Sequence, residues 1–334
     1  MAFKEKILII RLSSLGDVAL VHPVIKKLHQ KGHRIDLLTQ KEYAPLFQAN
    51  PFLEKIMAWD KKKGNFSRVI KLVKDQKYDM IIDLQKNLRT FWLRIFFPGR
   101  SVTLKKYKFR RWLLINFKIN FLNKNSVVKN YLATLTKLGY RTSAQDAGYE
   151  IFSLPETAKK VKKLFKKGKR FITVAPMAKW ETKIWWGYKE LVSMLSKKFP
   201  VLLLGTEEEA VRMKKWVTGK NIFNLAGKLG ILEMVEVIRQ SSLLITNDSG
   251  IMHLGAGTET PLIAIFGCTT RGLGFFPLRD NVRIIEVDQL RCRPCDYHGK
   301  DKCPRKHFKC MKNISVEMVL DQVRRSLWVS RKKT

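Results

Sequence analysis

With 334 residues and 45% hydrophobic content, the chain holds enough apolar material for two domains with separate cores, which excludes a disordered polypeptide. Lys and Arg number 65 against 28 Asp and Glu, giving a net charge of +37, a field that favours polyanions: nucleic acid, an anionic membrane surface or phosphorylated substrates. The longest apolar runs (ILII, VLLL, PLIAIF) fall short of the roughly 18 residues that span a bilayer, and Arg11 and Asp17 interrupt the N-terminal one, so neither a transmembrane helix nor a secretory signal is expected and the chain is placed in the cytoplasm.

In chain order, KILIIRL reads as a buried strand, and GDVALVHPVIKKLHQKG carries apolar residues at helical spacing up to Gly32. HRIDLLT is the next strand, KEYAPLFQAN a helix, EKIMAW a strand, NFSRVIKLVKDQK a helix, YDMIIDLQ a strand and NLRTFWLRIFF a helix. That alternation predicts a parallel sheet covered on both faces. From Lys105 to Lys137 the pattern is helical and basic, and Gly148 through AKKVKKLFKKGKR reads as a junction. The alternation then restarts, with strands in KRFITVAPM, PVLLLGT, SLLITNDSG and PLIAIFG and helices in WWGYKELVSMLSKKF, EEEAVRMKKWVTG and ILEMVEVIRQ. SVEMVLDQVRRSLWVS closes the chain as an amphipathic helix. Two doubly wound α/β domains facing across a cleft are expected: a first over 1–155, a basic junction over 156–170, a second over 171–313, and a C-terminal helix over 314–330 that could pack back on the first domain.

Ligands of such sheets bind beyond the carboxyl ends of the strands, so the strand-exit loops are where chemistry is sought. In LSSLGD, Gly16 permits close backbone approach, Ser13 and Ser14 offer hydroxyls, and Asp17 can accept a proton. Asp17 is equally suited to capping a helix, since acidic residues are favoured in a first turn. In TNDSGIMHLGAG, Asp248 and Ser249 precede a helix whose free N–H groups suit a diphosphate, and His253 lies on its first turns, either as a ligand group or as a satisfied core histidine. APMAKWETKIWW places Lys179 and Lys183 where they could neutralise phosphate oxygens. LLLGTEEEA puts Thr206 and Glu207 at a position suited to a ribose hydroxyl or to the helix dipole. Neither a GxGxxG fingerprint nor a GxxxxGK[ST] loop occurs, which argues against an ordinary dehydrogenase or a P-loop NTPase.

Together these motifs resemble the lipopolysaccharide heptosyltransferases, the ADP-heptose-using glycosyltransferase family 9 with the two-Rossmann-domain GT-B fold. The resemblance covers almost the whole chain and rests on ILIIRLSSLGDVALVHPVIKKL, YDMIIDLQKNLRT, WETKIWW, LLLGTEEE and above all TNDSGIMHLGAGTETPLIAIFG. It implies an acceptor-binding N-terminal domain and a nucleotide-sugar-binding C-terminal one, with Asp17 as general base and Ser14 and Gly16 as acceptor-binding residues beside it. It implies Lys183 and the Ser249 and Gly250 backbone as diphosphate ligands, Asp248 and His253 completing the donor site, and Thr206 with Glu207 or a neighbour (Glu208, Glu209) toward the ribose. Where some members carry small hydroxyl residues ahead of the lysine, this chain has Ala178 and Lys179.

The implied reaction is inverting transfer of heptose from ADP-L-glycero-D-manno-heptose to the lipid A-linked inner core, either Kdo-lipid A or a heptosyl acceptor. It needs a base near the attacking hydroxyl and cations or N–H groups on the leaving ADP, with cleft closure as part of catalysis. No Asp-x-Asp cradle is evident in the donor loops, so no obligatory metal or other cofactor is expected. Between Asp83 and Asp146 there is no acidic residue but fourteen Lys or Arg, interleaved with aromatics such as Phe91, Trp92, Phe96, Phe109 and Trp112. Arg89, Arg110 and Arg111 in this window are the expected acceptor contacts, and the enzyme is expected at the anionic inner face of the cytoplasmic membrane. The alternative is that these aromatics are core and only the cations are exposed.

Cys292, Cys295, Cys303 and Cys310 form C-x2-C-x7-C-x6-C, which could close a tetrahedral zinc site, although reduced structural thiols fit the irregular spacing better. Two other functions compete: a GT-B enzyme using another nucleotide sugar, and a basic nucleic-acid-binding protein. The second is disfavoured because no nucleic-acid module is present, so nucleic acid is not expected as a partner.

Overall fold

The computed structural model describes residues 4–62, 64, 66–122, 126–164 and 170–331. The chain forms two compact units, Met1–Lys106 with Ser126–Leu154, and Tyr107–Asn125 with Pro155–Thr334.

The elements of the first half are β1 (Lys6–Ile10), α1 (Leu15–Ala19), α2 (His22–Gln30), β2 (Arg34–Gln40), β3 (Lys55–Trp59), α3 (Phe66–Asp75), β4 (Met80–Asp83), α4 (Leu88–Ile95), β5 (Arg100–Thr103), α5 (Lys108–Phe117) and α6 (Val127–Thr136). The first unit's sheet has the order β3-β2-β1-β4-β5 and is parallel throughout. Central β1 is buried on both faces, so Ile7 to Ile10 run as a continuous apolar string, with Ile10 level with Leu38 and Asp83.

The helix read over GDVALVHPVIKKLHQKG is two helices. Pro23 has no N–H for the carbonyl of Ala19, and the buried His22 Nδ1 lies 2.8 Å from that oxygen instead. KEYAPLFQAN holds a short 3-10 turn over Ala44–Phe47, with Pro45 near its start, rather than a full helix. The basic stretch from Lys105 to Lys137 breaks after α5, where Lys118 adopts φ +62.

The elements of the second half are α7 (Pro155–Leu164), β6 (Ile172–Ala175), α8 (Tyr188–Ser196), β7 (Val201–Leu203), α9 (Glu207–Met213), β8 (Ile222–Asn224), α10 (Ile231–Gln240), β9 (Leu243–Asn247), α11 (Gly250–Ala256), β10 (Leu262–Phe266), β11 (Val282–Glu286), α12 (Lys309–Lys312) and α13 (Val316–Arg331). They build a parallel sheet of order β11-β10-β9-β6-β7-β8. The stretch expected to be a junction holds α7, whose Val161 is fully buried and whose Lys160 pairs with Glu233 of α10; residues 165–169 of it lie outside those described. α13 gives Val316, Val319 and Val323 to the core of the second unit, packed with β6, β9 and β10 side chains, where the sequence had left it the option of the first.

α5 belongs to the second unit, unlike the expected division at residue 155. Leu114 of α5 is buried with Leu122 and Leu273, and Ile115 packs partly buried against them, so a short apolar edge attaches this basic helix there.

Each sheet reverses its winding at one point. In the first the chain adds β2 and β3 on one side of β1 and β4 and β5 on the other; in the second, β7 and β8 flank β6 on one side and β9, β10 and β11 on the other. The crevices beyond the β1/β4 pair and the β6/β9 pair are the places where this architecture accepts ligands.

Candidate active site

In the first unit the β1 exit carries Asp17. Its Oδ2 lies 2.8 Å from Arg11 Nη2, the Ser14 hydroxyl donates to the same oxygen at 3.2 Å, and Tyr131 donates to Oδ1 at 3.2 Å. Arg11 also donates Nη1 to the Leu84 carbonyl at the β4 exit, and Gln85 Oε1 accepts from Leu12 N at 3.0 Å and Ser13 N at 3.2 Å. The two strand exits of the switch point are thus laced together around the carboxylate. Ser14 stands at the N-cap of α1 without a side-chain cap bond, while Asp17 in the first turn is gripped by side chains of three other residues. That shell of side chains holds the carboxylate in one orientation. Gly16 is buried in the same turn.

Farther along, Asp83 is fully buried, accepts from the Gln85 and Lys86 N–H groups at 2.9 and 2.7 Å, and lies 3.2 Å from Arg94 Nε, which shapes the turn into α4. Arg89, on the first turn of α4, is exposed, with its guanidinium 5.5 Å from the Trp59 ring centroid.

In the second unit the β6 and β9 exits come together. Lys183 Nζ donates to Asp248 Oδ2 at 2.7 Å and the Thr269 hydroxyl donates to the same oxygen at 2.6 Å, with Asp248 almost entirely buried. Asn247 ties the two strands: its Nδ2 donates to the Pro176 carbonyl at 2.7 Å and its Oδ1 accepts from Tyr188 at 3.1 Å. Ser249 is the N-cap of α11 with its hydroxyl 3.3 Å from that of Thr246, and Gly250 opens the helix. His253 is buried on the same helix, its ring 6.4 Å from Phe275 and edge-on to it.

The β7 exit resolves part of the acidic triplet. Thr206 N-caps α9, accepting from Glu209 N at 3.3 Å and donating its own N–H to Glu209 Oε2 at 2.8 Å. Glu209 is therefore spent on a capping box, and burial raises its pKa, whereas Glu207 and Glu208 are exposed on the first turn. Gly227, at φ +72, packs so close to the Glu207 backbone that a Cβ would come within 2.7 Å of its Cα.

Arg110 and Arg111, expected beside the acceptor in the N-terminal domain, lie on α5 in the second unit. Arg111 sits 4.5 Å over the Tyr297 ring and 6.0 Å over Phe275, the residue edge-on to His253; Arg110 lies over Tyr107 at 5.3 Å. The aromatic cage that captures Arg111 comes from residues far along the chain, which local patterning does not reveal.

Among the described residues no group of three or more His, Cys, Asp or Glu side chains converges as a metal site, so the zinc arrangement of Cys292, Cys295, Cys303 and Cys310 is not formed. Cys310 is drawn into the core of the second unit, where burial pushes its thiol up to about 12, and Cys295, pushed up to about 11, donates to the Cys292 carbonyl at 3.1 Å. These are protonated structural thiols at neutral pH. Their loop is nonetheless tied to the segment that carries Lys183. Thr182, next to Lys183, exchanges three bonds with Lys300, its N–H and hydroxyl donating to the carbonyl and its Oγ1 accepting from the N–H, and the Cys295 N–H donates to the Cys268 carbonyl at 2.9 Å. Buried Arg293 donates to the carbonyls of Phe266, Gly267, Thr269 and Val287 and to the Glu286 carboxylate. Arg11, Tyr131, Thr269, Thr182 and Arg293 were not singled out from the sequence; of these only Arg11, a charge ending an apolar strand, gave a local signal.

Two doubly wound parallel sheets, each with a charged loop at its switch point, make up the GT-B fold. The chain belongs to glycosyltransferase family 9 (heptosyltransferase), whose profile matches residues 66–305. It is 27% identical to lipooligosaccharide heptosyltransferase 2 of Haemophilus influenzae, over 95% of this chain and 98% of that one. In fold it is similar to a glycosyl transferase family 9 protein of Veillonella parvula, with a TM-score of 0.79 at 18% identity over 98% of both chains. It is likewise similar to ADP-heptose LPS heptosyltransferase II of E. coli, with a TM-score of 0.77 at 20% identity over 98% of this chain and 99% of that one.

Proposed function

We propose that this glycosyltransferase moves a heptose from ADP-L-glycero-D-manno-heptose to the inner core of lipopolysaccharide with inversion at the anomeric carbon. The observation that carries the reading is the Lys183–Asp248–Thr269 cluster at the β6/β9 switch point, directly ahead of Ser249 and Gly250. The family and the names of its relatives supply the sugar and the acceptor; the cluster supplies the chemistry of a nucleotide diphosphate site.

In this reaction the acceptor hydroxyl oxygen bonds to the anomeric carbon, its proton passes to the Asp17 carboxylate, and the bond from that carbon to the β-phosphate oxygen breaks with its electron pair leaving on ADP. Arg11, Tyr131 and Ser14 keep Asp17 in one orientation, so the base is positioned before substrate arrives. Lys183 moves from Asp248 onto the diphosphate, and the Ser249 and Gly250 N–H groups take further charge, with His253 below them. Glu207 or Glu208 receives the ribose hydroxyls, since Glu209 is held by Thr206. Lysine and amide groups meet the leaving charge with no obligatory cofactor. Arg89 meets acidic groups of the lipid-linked acceptor, at the inner face of the cytoplasmic membrane.

The test is incubation of the full chain with ADP-heptose and a Kdo-bearing lipid A acceptor, followed by mass spectrometry. A gain of one heptose is expected, with the anomeric configuration opposite to that of the donor. No transfer from ADP-heptose, with transfer from another nucleotide sugar, would overturn the donor assignment.

A further inference from the structure

Helix α4 is built inside out. Thr90 and Leu93 point into the first unit, with Phe97 just beyond the helix, whereas Leu88, Phe91, Trp92, Ile95 and Phe96 lie 72, 42, 47, 59 and 48% exposed. Those five positions follow the i, i+3, i+4, i+7, i+8 spacing of one helical face, which in a soluble helix is the face that is buried. The rings are already assembled: Trp92 stacks on Phe96 at 6.0 Å and meets Phe91 edge-on at 5.6 Å. A continuous exposed apolar face marks an interaction surface.

Its flanks are positive. Lys74 lies 5.3 Å over the Phe96 ring, Lys106 reaches the Lys86 carbonyl at the N-terminal end of the helix at 2.9 Å, and Arg89 projects from its first turn. Over residues 84–145 no carboxylate offsets them. Aromatic and aliphatic side chains on one face, cations around them and no acid is the chemistry of an interfacial helix on an anionic bilayer: the cations pair with headgroup phosphates while the rings enter the acyl boundary.

We infer that α4 is the membrane-docking element of this protein and that its partner is an anionic phospholipid surface. The inference deepens the proposed use of a lipid-linked acceptor and rests on it for purpose, but not for its test. With Trp92 and Ile95 seated at the boundary, the Asp83-braced turn ahead of α4 and Arg89 on its first turn stand at headgroup level, where an acceptor's acidic groups are exposed.

The experiment is co-sedimentation of the full chain with vesicles of phosphatidylcholine alone and of phosphatidylcholine mixed with phosphatidylglycerol, without sugar donor. Binding to the mixed vesicles is expected to exceed binding to neutral ones by about tenfold or more. The double variant Trp92→Ser, Ile95→Ser is expected to weaken it at least about tenfold with an unchanged melting temperature, because both side chains are exposed, and Trp92→Phe to restore most of it. Heptose transfer to a vesicle-embedded acceptor falls with binding in the double variant, while transfer to a deacylated, water-soluble acceptor stays at the parent level. Equal vesicle binding by parent and double variant would overturn the inference. So would a parent that ignores anionic vesicles and dimerises through this face, seen as a dimer-to-monomer change in the variant. Vesicle binding without any heptose transfer would instead sink the proposed function alone.

Discussion

Asp17 and Asp248 occupy equivalent places, each at a strand exit beside a switch point and each facing a cation, yet the cations differ. Arg11 at Asp17 is nearly buried and pinned a second time by the Leu84 carbonyl, so the pair cannot separate without leaving a guanidinium unsatisfied. Lys183 at Asp248 is a point charge on a flexible stem that donates one hydrogen bond to the carboxylate, and Thr269 would still hold Asp248 if the lysine swung away. Under the proposed function, the first arrangement orients a carboxylate and the second stores a cation. An identical local pattern, an acid beside a base at a strand end, thus serves two ends according to whether the cation is locked.

The sharpest way to break this comparison is Asp17→Asn, which keeps shape and hydrogen bonding but removes the base. A fall of about 10²–10⁴ in kcat with ADP affinity nearly unchanged is expected from steady-state kinetics and calorimetry. Parent-like turnover would end the base assignment. Next in size is an acid sensitivity confined to the first unit. Burial holds His22, stacked on Phe47 with centroids 4.5 Å apart, at about 4 rather than 6.5, so the folded form stays neutral where the unfolded chain takes up a proton. Stability from this group is complete above about pH 6.5 and declines as pH falls toward 4, by roughly 3 kcal/mol in all. His22→Phe should flatten the melting temperature against pH in that window; an unaltered slope would locate the sensitivity elsewhere.

Lys183→Ala tests the stored cation. Donor KM is expected to rise about 10- to 100-fold, the worth of a charge-assisted hydrogen bond, with a smaller change in kcat. The reverse pattern, kcat lost and KM kept, would mean that Lys183 acts on the transition state alone. Smallest is Thr269→Val, expected to cost about fivefold in donor KM by loosening Asp248. No effect would show that Asp248 needs no second anchor.

Much of this was legible because strand exits write their chemistry locally. KILIIRLSSLGD and SLLITNDSG each show a buried strand running into small and acidic residues, and both loops stand at switch points as that pattern predicts. What was not legible depends on residues brought together from afar. The destination of α5 turns on Leu114 meeting Leu273, and the partner of Asp17 on Tyr131, more than a hundred residues away. β5, β8 and β11 went unseen because RSVT, IFN and VRIIE are short and partly polar at the sheet edges. The exposed face of α4 could not be decided from its spacing, since the same periodicity describes a buried stripe; only the structure shows it turned outward.

Arg293 has an electrostatic consequence. The carbonyl oxygens at and just beyond the ends of β10 and β11 leave the strand ladder, and unpaired they would form a negative rim hostile to an incoming anion. By binding the carbonyls of Phe266, Gly267, Thr269 and Val287 with one guanidinium, Arg293 cancels that rim at the ends of β10 and β11, beside the strand that carries Asp248. The residue gives the second sheet an edge on which an anion meets a neutral shore.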